Sequence, residues 1–187
     1  MRHSRPRKPV NTFRILGIDP GSRVTGVGVV ESRGQSLYHV HSECVRAGDG
    51  DLGSRLAVIH QRIQAVIDEC RPHGAAIEKV FMAANPQAAL ILGHARGVAL
   101  LAAVQQGLAV AEYSALEIKR AVVGAGSAGK GQVQHMVRVL LGMDHEPPQD
   151  AADALACAIC HIHTAQGAQH LTTAAMADAH SAGNTRE

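Results

Sequence analysis

Four aromatic side chains, Phe13, Tyr38, Phe81 and Tyr113, are all that 187 residues supply, and Trp is absent. Yet 46% of the chain is hydrophobic, so a core has to be closed with Ala, Val, Leu and Ile. Modules that grip nucleic acid by stacking bases on several aromatics are disfavoured by this composition. The length suits one domain, at roughly 100–200 residues per domain. Without heptads or Gly-X-Y repeats, neither a coiled coil nor collagen is possible. No stretch of about 18 residues is apolar without interruption, which argues against a membrane span.

The apolar residues fall into short runs and helical stripes in a readable order. Ile15–Asp19 suits a buried strand, and Pro20-Gly21-Ser22 turns the chain. Val24–Glu31 and Ser36–Val45 read as two further strands of a meander. Residues Leu52, Leu56, Ile59, Ile63, Val66 and Ile67 predict a helix over 51–70. Strands are expected at Ala75–Phe81 and Leu108–Glu112, around a helix over 85–106 that is apolar almost all round. Helices are expected at 114–123, 130–141 and from Gln149 to about Thr164. This pattern predicts an α/β domain with a mixed five-stranded sheet and helices on both faces.

Net charge is +2, but it is uneven. Residues 1–14 hold Arg2, Arg5, Arg7, Lys8 and Arg14 and no acid, leaving 13 bases against 16 acids in the rest. Bulk charge therefore does not announce nucleic-acid binding, and such a claim must rest on local sites. Residues 1–13 read as a basic disordered extension without the apolar core of a secretory signal. Residues 14–165 read as the folded domain, and 166–187 as a small, polar, disordered tail. Cys44, Cys70, Cys157 and Cys160 form no regular framework, which suits a reduced, cytoplasmic protein.

Chemistry concentrates in four carboxylates. Asp19 ends the first strand at a Gly turn, and Glu78 sits in an apolar strand. Asp150 and Asp153, three residues apart, share one face at the start of the last helix. Converging carboxylates need a cation to stay ionised together, and oxygen-only ligands suit Mg²⁺ or Mn²⁺. One or two such ions would serve phosphodiester displacement. The residues alone leave other roles open: helix-dipole acids for Asp150 and Asp153, a turn residue for Asp19, and a paired strand acid for Glu78.

Six segments in family order resemble the RuvC family of Holliday-junction resolvases. They are Leu16-Gly-Ile-Asp-Pro-Gly-Ser-Arg-Val-Thr-Gly26, Ala76-Ile-Glu-Lys-Val-Phe-Met82, Ala95-Arg-Gly-Val98, Val122-Val-Gly-Ala-Gly-Ser-Ala-Gly-Lys130, Gln132-Val-Gln-His-Met136 and Asp150-Ala-Ala-Asp-Ala-Leu155. The resemblance implies an RNase H-like fold, a homodimer, and Mg²⁺-dependent symmetric nicking of four-way DNA junctions in recombination and repair. It puts Asp19, Glu78, Asp150 and Asp153 on the family's catalytic, metal-holding carboxylates. It puts Lys119 and Lys130 on the basic residues near the scissile strand, Lys130 within the catalytic set, and Phe81 on the aromatic that stacks on a junction base. A junction-binding protein and a branch-migration ATPase, RuvA and RuvB, follow as partners. The rivals are an actin-like ATPase or sugar-kinase-type phosphotransferase, which needs two such domains, and a junction-binding protein without catalysis.

Three motifs point elsewhere. Gly124-Ala-Gly-Ser-Ala-Gly129-Lys130 resembles a P-loop, but Gly131 stands where Ser or Thr must hold Mg²⁺. Cys157-Ala-Ile-Cys160-His161 spells a haem c attachment site inside an apolar helix with no export signal. Zinc is disfavoured there because adjacent helical residues diverge by about 100°. His161 is about 16 Å along the helix from Asp150, too far to join the same metal site.

Overall fold

The first strand takes the centre of the sheet because its apolar run is covered on both faces. The structure, a computed structural model, describes residues 12–79 and 85–183. Strands β1 (Thr12–Asp19), β2 (Val24–Arg33) and β3 (Ser36–Arg46) form an antiparallel meander. Helix α1 (Leu52–Cys70) leads to β4 (Gly74–Glu78), then α2 (Pro86–Gln105) leads to β5 (Val110–Tyr113). Both later strands run parallel to β1, giving the order β3-β2-β1-β4-β5. Helices α3 (Ala115–Val123), α4 (Lys130–Leu141) and α5 (Gln149–Gly183) complete the chain. This is the RNase H-like α/β architecture, a mixed sheet between two helical layers.

Alternation along the strands sorts the core into two halves. Leu16, Ile18, Val27, Val29, Ala75 and Ile77 pack with α1 and α2. Ile15, Val30 and Ala76 face α3, α4 and α5. By the same alternation Gly17, Gly26 and Gly28 also face α5, and there the helix comes unusually close. A Cβ on Gly17 would lie 1.9 Å from the carbonyl oxygen of Ala154, and one on Gly26 would lie 1.9 Å from that of Asp150. At Gly28 it would meet the Leu155 side chain at 2.7 Å. The facing stretch of α5 is itself rich in buried alanine, Ala151, Ala152, Ala154, Ala156 and Ala158.

Caps set the helix ends. Asp51 accepts from the Ser54 N–H at the start of α1. Asn85 caps α2, with Pro86 at its first position. Ser114 and Glu117 form a reciprocal capping box on α3.

Two boundaries and one reading of hydropathy differ from the sequence analysis. Strand β4 stops at Glu78 because its neighbours stop there: β5 ends at Tyr113, and the Lys79 N–H makes the last ladder-like bond to the Tyr113 carbonyl. Helix α5 continues past Thr164, through the stretch expected to be a disordered tail, to Gly183. Gly167 is the one glycine in this stretch before Gly183, at roughly 1 kcal/mol against Ala. Helix α2 is long and apolar enough by composition to cross a membrane, since Leu, Ile, Val and Ala maintain its average hydropathy where His94 and Arg96 interrupt it. Only its Ala95, Ala99, Ala102 and Ala103 stripe is buried, while Leu90, Leu101 and Val104 are exposed.

The close seating of α5 makes a sharp prediction. Gly17→Ala should lower unfolding stability by about 1–3 kcal/mol or more, the range for overpacking. Gly131→Ala, on α4 with nothing within 4 Å of its Cβ, should gain roughly 0.5–1 kcal/mol. Urea titration of both variants checks this, and a neutral Gly17→Ala would contradict the packing.

Candidate active site

The parallel register sets the first two acids side by side. Ile18 pairs with Ile77, so the next residues, Asp19 and Glu78, end adjacent strands with their side chains on the α5 face. Asp19 pairs across β2 with Gly26, and the Asp150 carbonyl fills the space above Gly26. The first turn of α5 thus lies over the end of β1.

A cavity of about 460 Å³ opens at this point. Asp19, Glu78 and Asp153 line it with Lys79, Lys119 and Lys130, against apolar walls from Leu92, Ile118 and Val133. Asp150 does not line it, but its charge acts on Asp19 and Asp153. Phe81 lies in residues 80–84, outside the described residues.

Burial and like charge push every lining acid upward. Asp19 rises to about 7, chiefly through burial, then through Glu78, Asp153 and Asp150, with Lys130 opposing. Glu78 is raised by burial and then Asp153, against Lys119 and Lys130. Asp153 is raised by burial and by Asp150, with Lys130 and Lys119 pulling the other way. Such a set favours either protons or a cation.

The donors fit a hard divalent ion. They are oxygen-only and carry excess negative charge where burial makes that charge costly. Among the described residues no three His, Cys, Asp or Glu groups already close into a ligand cage. Mg²⁺, one such hard ion, keeps several waters and takes one or two carboxylates together with substrate phosphate.

Local contacts hold the frame. Thr25, fully buried, donates from Oγ1 to the Gly21 carbonyl at 2.7 Å and accepts from the Gly21 N–H at 3.3 Å, pinning the turn after Asp19. Arg96 on α2 donates from Nε to the Glu78 carbonyl at 3.4 Å and ion-pairs with Glu112. Lys130 opens α4, whose start is tied by the Gly129 N–H to Gln132 Oε1 at 2.8 Å. The Gly-rich loop here runs from helix α3 to helix α4, unlike the strand-to-helix P-loop. Cys157 and Cys160 are buried thiols, both pushed up by burial. His161 Nδ1 meets the Tyr113 hydroxyl at 2.9 Å, so it fastens α5 to β5.

The sequence reading overlooked Lys79, Thr25 and Arg96. The available signal for Lys79 was its place directly after the strand-end acid. Thr25 and Arg96 lay inside the matching segments but carried no chemistry of their own.

A buried acid cluster between two strand ends and a helix start, edged by lysines, is the framework of a metal-assisted phosphodiesterase on an RNase H-like sheet. The family model for crossover junction endodeoxyribonuclease RuvC matches residues 15–161. Relatives from Marinobacter nauticus and Methylobacillus flagellatus, both described as crossover junction endodeoxyribonuclease RuvC, are each 53% identical. The alignments cover 81% and 87% of this chain and 87% and 94% of theirs. The solved structure of Thermus thermophilus RuvC in complex with Holliday junction substrate superposes with a TM-score of 0.79 at 34% identity. That match covers 83% of this chain and 96% of the other. This chain belongs to the RuvC family of crossover junction endodeoxyribonucleases. Nucleases of this family are generally dependent on a divalent metal.

The raised Asp19 gives a pH test. Its folded pKa, about 7, exceeds the ordinary 3.8, so folding favours the protonated acid. The associated stability is complete below about pH 4 and is lost as pH rises through 7. In metal-free protein, Asp19→Asn should therefore raise stability at pH 8 by a few kcal/mol, at about 1.4 kcal/mol per pKa unit. The gain should vanish near pH 4. Urea midpoints in EDTA across this range check it, and no gain at pH 8 would contradict the buried, repelled carboxylate.

Proposed function

We propose that this chain is a Holliday-junction resolvase that nicks two like strands of a four-way DNA junction symmetrically, as a homodimer. The observation that carries the reading is the cavity where Asp19, Glu78 and Asp153 from three elements meet Lys119 and Lys130. The solved Thermus thermophilus relative bound to Holliday junction substrate supports the DNA.

Asp19, Glu78, Asp150 and Asp153 would hold one or two Mg²⁺ ions, for which Mn²⁺ would substitute. When bound, the metal lowers the pKa of a water and offsets charge on the reacting phosphate. The chain's own residues do the rest. Lys130, at the start of α4, aims an ammonium at the site from a helix N-terminus that favours anions. Lys119 adds a second cation from α3, so the scissile phosphate meets fixed positive charge as negative charge develops. Apolar Leu92, Ile118 and Val133 limit water on one wall. Phe81, three residues past Glu78, would stack on an unpaired junction base, at about 1–3 kcal/mol per stacked base.

The dimer reading rests on α2. Leu90, Leu101 and Val104 are exposed beside a groove formed with Leu56, Gly93, Gly97 and Val98. Exposed glycines permit close helix approach, and a two-fold pair of sites matches two like strands. RuvA and RuvB are the expected partners, in the bacterial cytoplasm.

With Mg²⁺ and a synthetic four-way junction, the protein should release two symmetry-related nicks. Asp19→Asn or Glu78→Gln should lower cleavage by roughly 10²-fold or more, and persistent cleavage by either variant would overturn the reading. Phe81→Ala should leave duplex affinity nearly intact while slowing resolution, measured on gels. The double change Leu101→Glu with Val104→Glu should convert dimer to monomer in light scattering.

A further inference from the structure

The sequence contains only four lysines, Lys8, Lys79, Lys119 and Lys130. All three within the described residues line the acidic cavity. They reach it from different directions: Lys79 from the end of β4, Lys119 from α3 and Lys130 from the start of α4. Among the described residues, none is within ion-pair distance of a carboxylate. Arginines, by contrast, supply the structural ion pairs, as Arg14 and Arg33 do with Glu31 and Arg62 does with Glu43.

Lys79 is better fixed than its exposure suggests. Its backbone N–H donates to the Tyr113 carbonyl at 2.7 Å, which holds the residue beside Glu78. The acid whose charge it feels is Glu117. That carboxylate already accepts from both the backbone N–H and the hydroxyl of Ser114, at 2.7 Å each, in the α3 cap. Both bonds fall on one carboxylate oxygen, and among the described residues the Lys79 ammonium makes no ion pair with Glu117 or any other acid beside the cavity it lines.

We propose that Lys79 grips a DNA backbone phosphate flanking the scissile one, as a third phosphate-binding lysine of the site. The proposal rests on the junction-cleaving reading above. A strand carries one phosphate per nucleotide, and a cleavage site that holds only the reacting phosphate leaves the strand's direction free. A cation at the end of β4, on a different element from Lys119 and Lys130, sets that direction. Lysine suits the role because a flexible ammonium follows a phosphate without requiring a planar fork.

The test is the salt dependence of junction binding, measured by fluorescence anisotropy in EDTA, where hydrolysis is arrested. Each phosphate neutralised contributes about −0.9 to the slope of log affinity against log salt. Lys79→Ala should make the slope shallower by about one unit and leave the thermal midpoint unchanged. Lys79→Arg should restore the slope. Arg71→Gly, which removes an exposed cation before the opposite end of β4, should leave it as in the unaltered protein. An unchanged slope in Lys79→Ala, or an equal change in Arg71→Gly, would overturn the assignment and return Lys79 to an ordinary solvated residue. If the unaltered protein shows no salt-dependent junction binding at all, the junction reading fails and the assignment falls with it.

Discussion

At Gly26 the space that any side chain would occupy is taken by the carbonyl oxygen of Asp150, and at Gly17 it is taken by that of Ala154. These contacts set how closely α5 can approach the sheet. An ordinary helix-on-sheet separation would lift the first turn of α5 away from the end of β1. The electrostatic coupling of Asp19 to Asp150 and Asp153 would then weaken, because Coulomb interaction falls with distance and solvent would enter between them. The glycines on one strand face and the alanines on one helix face are therefore part of the site's chemistry, although none of them carries a functional group.

Bringing acids together in this way has an electrostatic cost that the rest of the site reflects. Burial raises Asp19, Glu78 and Asp153 together, and each acid adds to the others' difficulty. Lys119 and Lys130 offset part of that repulsion without forming direct ion pairs with the acids. A tight lysine–carboxylate contact would satisfy the acids and remove their need for a cation. Separated cations instead leave the carboxylates' charge unmatched, so the proposed metal and the proposed phosphate would each meet opposite charge.

Much of this was legible in the chain. Asp19 and Glu78 stood out because charged residues are rare at the ends of buried strands, and Asp153 because it shares a helical face with Asp150. The succession of strands and helices along the chain followed from short apolar runs separated by helical stripes, while their order within the sheet did not. What escaped was whatever depends on a neighbour. The end of β4 is set by where β1 and β5 stop, which its own sequence, with Val80 and Phe81 following Lys79, does not encode. Thr25 is an ordinary strand residue until its hydroxyl is seen to close the Gly21 turn. Lys79 reads as a solvated lysine until it is seen to line the same cavity as Asp19, Glu78 and Asp153. The length of α5 escaped for a different reason: its later residues favour a helix but have no apolar stripe to signal one.

Helix α2 illustrates how a chain poor in aromatics divides its apolar surface. Its buried stripe is made of alanines, and its Leu90, Leu101 and Val104 point outward. This departs from the usual amphipathic arrangement, in which the larger side chains are buried, although Val98 and Leu100 still pack partly against the core. The departure follows from close packing against α1, where small residues allow backbones to approach. The larger side chains are then left to a second surface, and about 1.5–3 kcal/mol per fully buried Leu or Val favours covering them. Arg96 lies on the same helix and reaches the Glu78 carbonyl. The helix that offers the apolar face is thus also attached to the strand end that presents a carboxylate to the cavity. A second copy seated on α2 would brace that strand end as well as pair the two cavities.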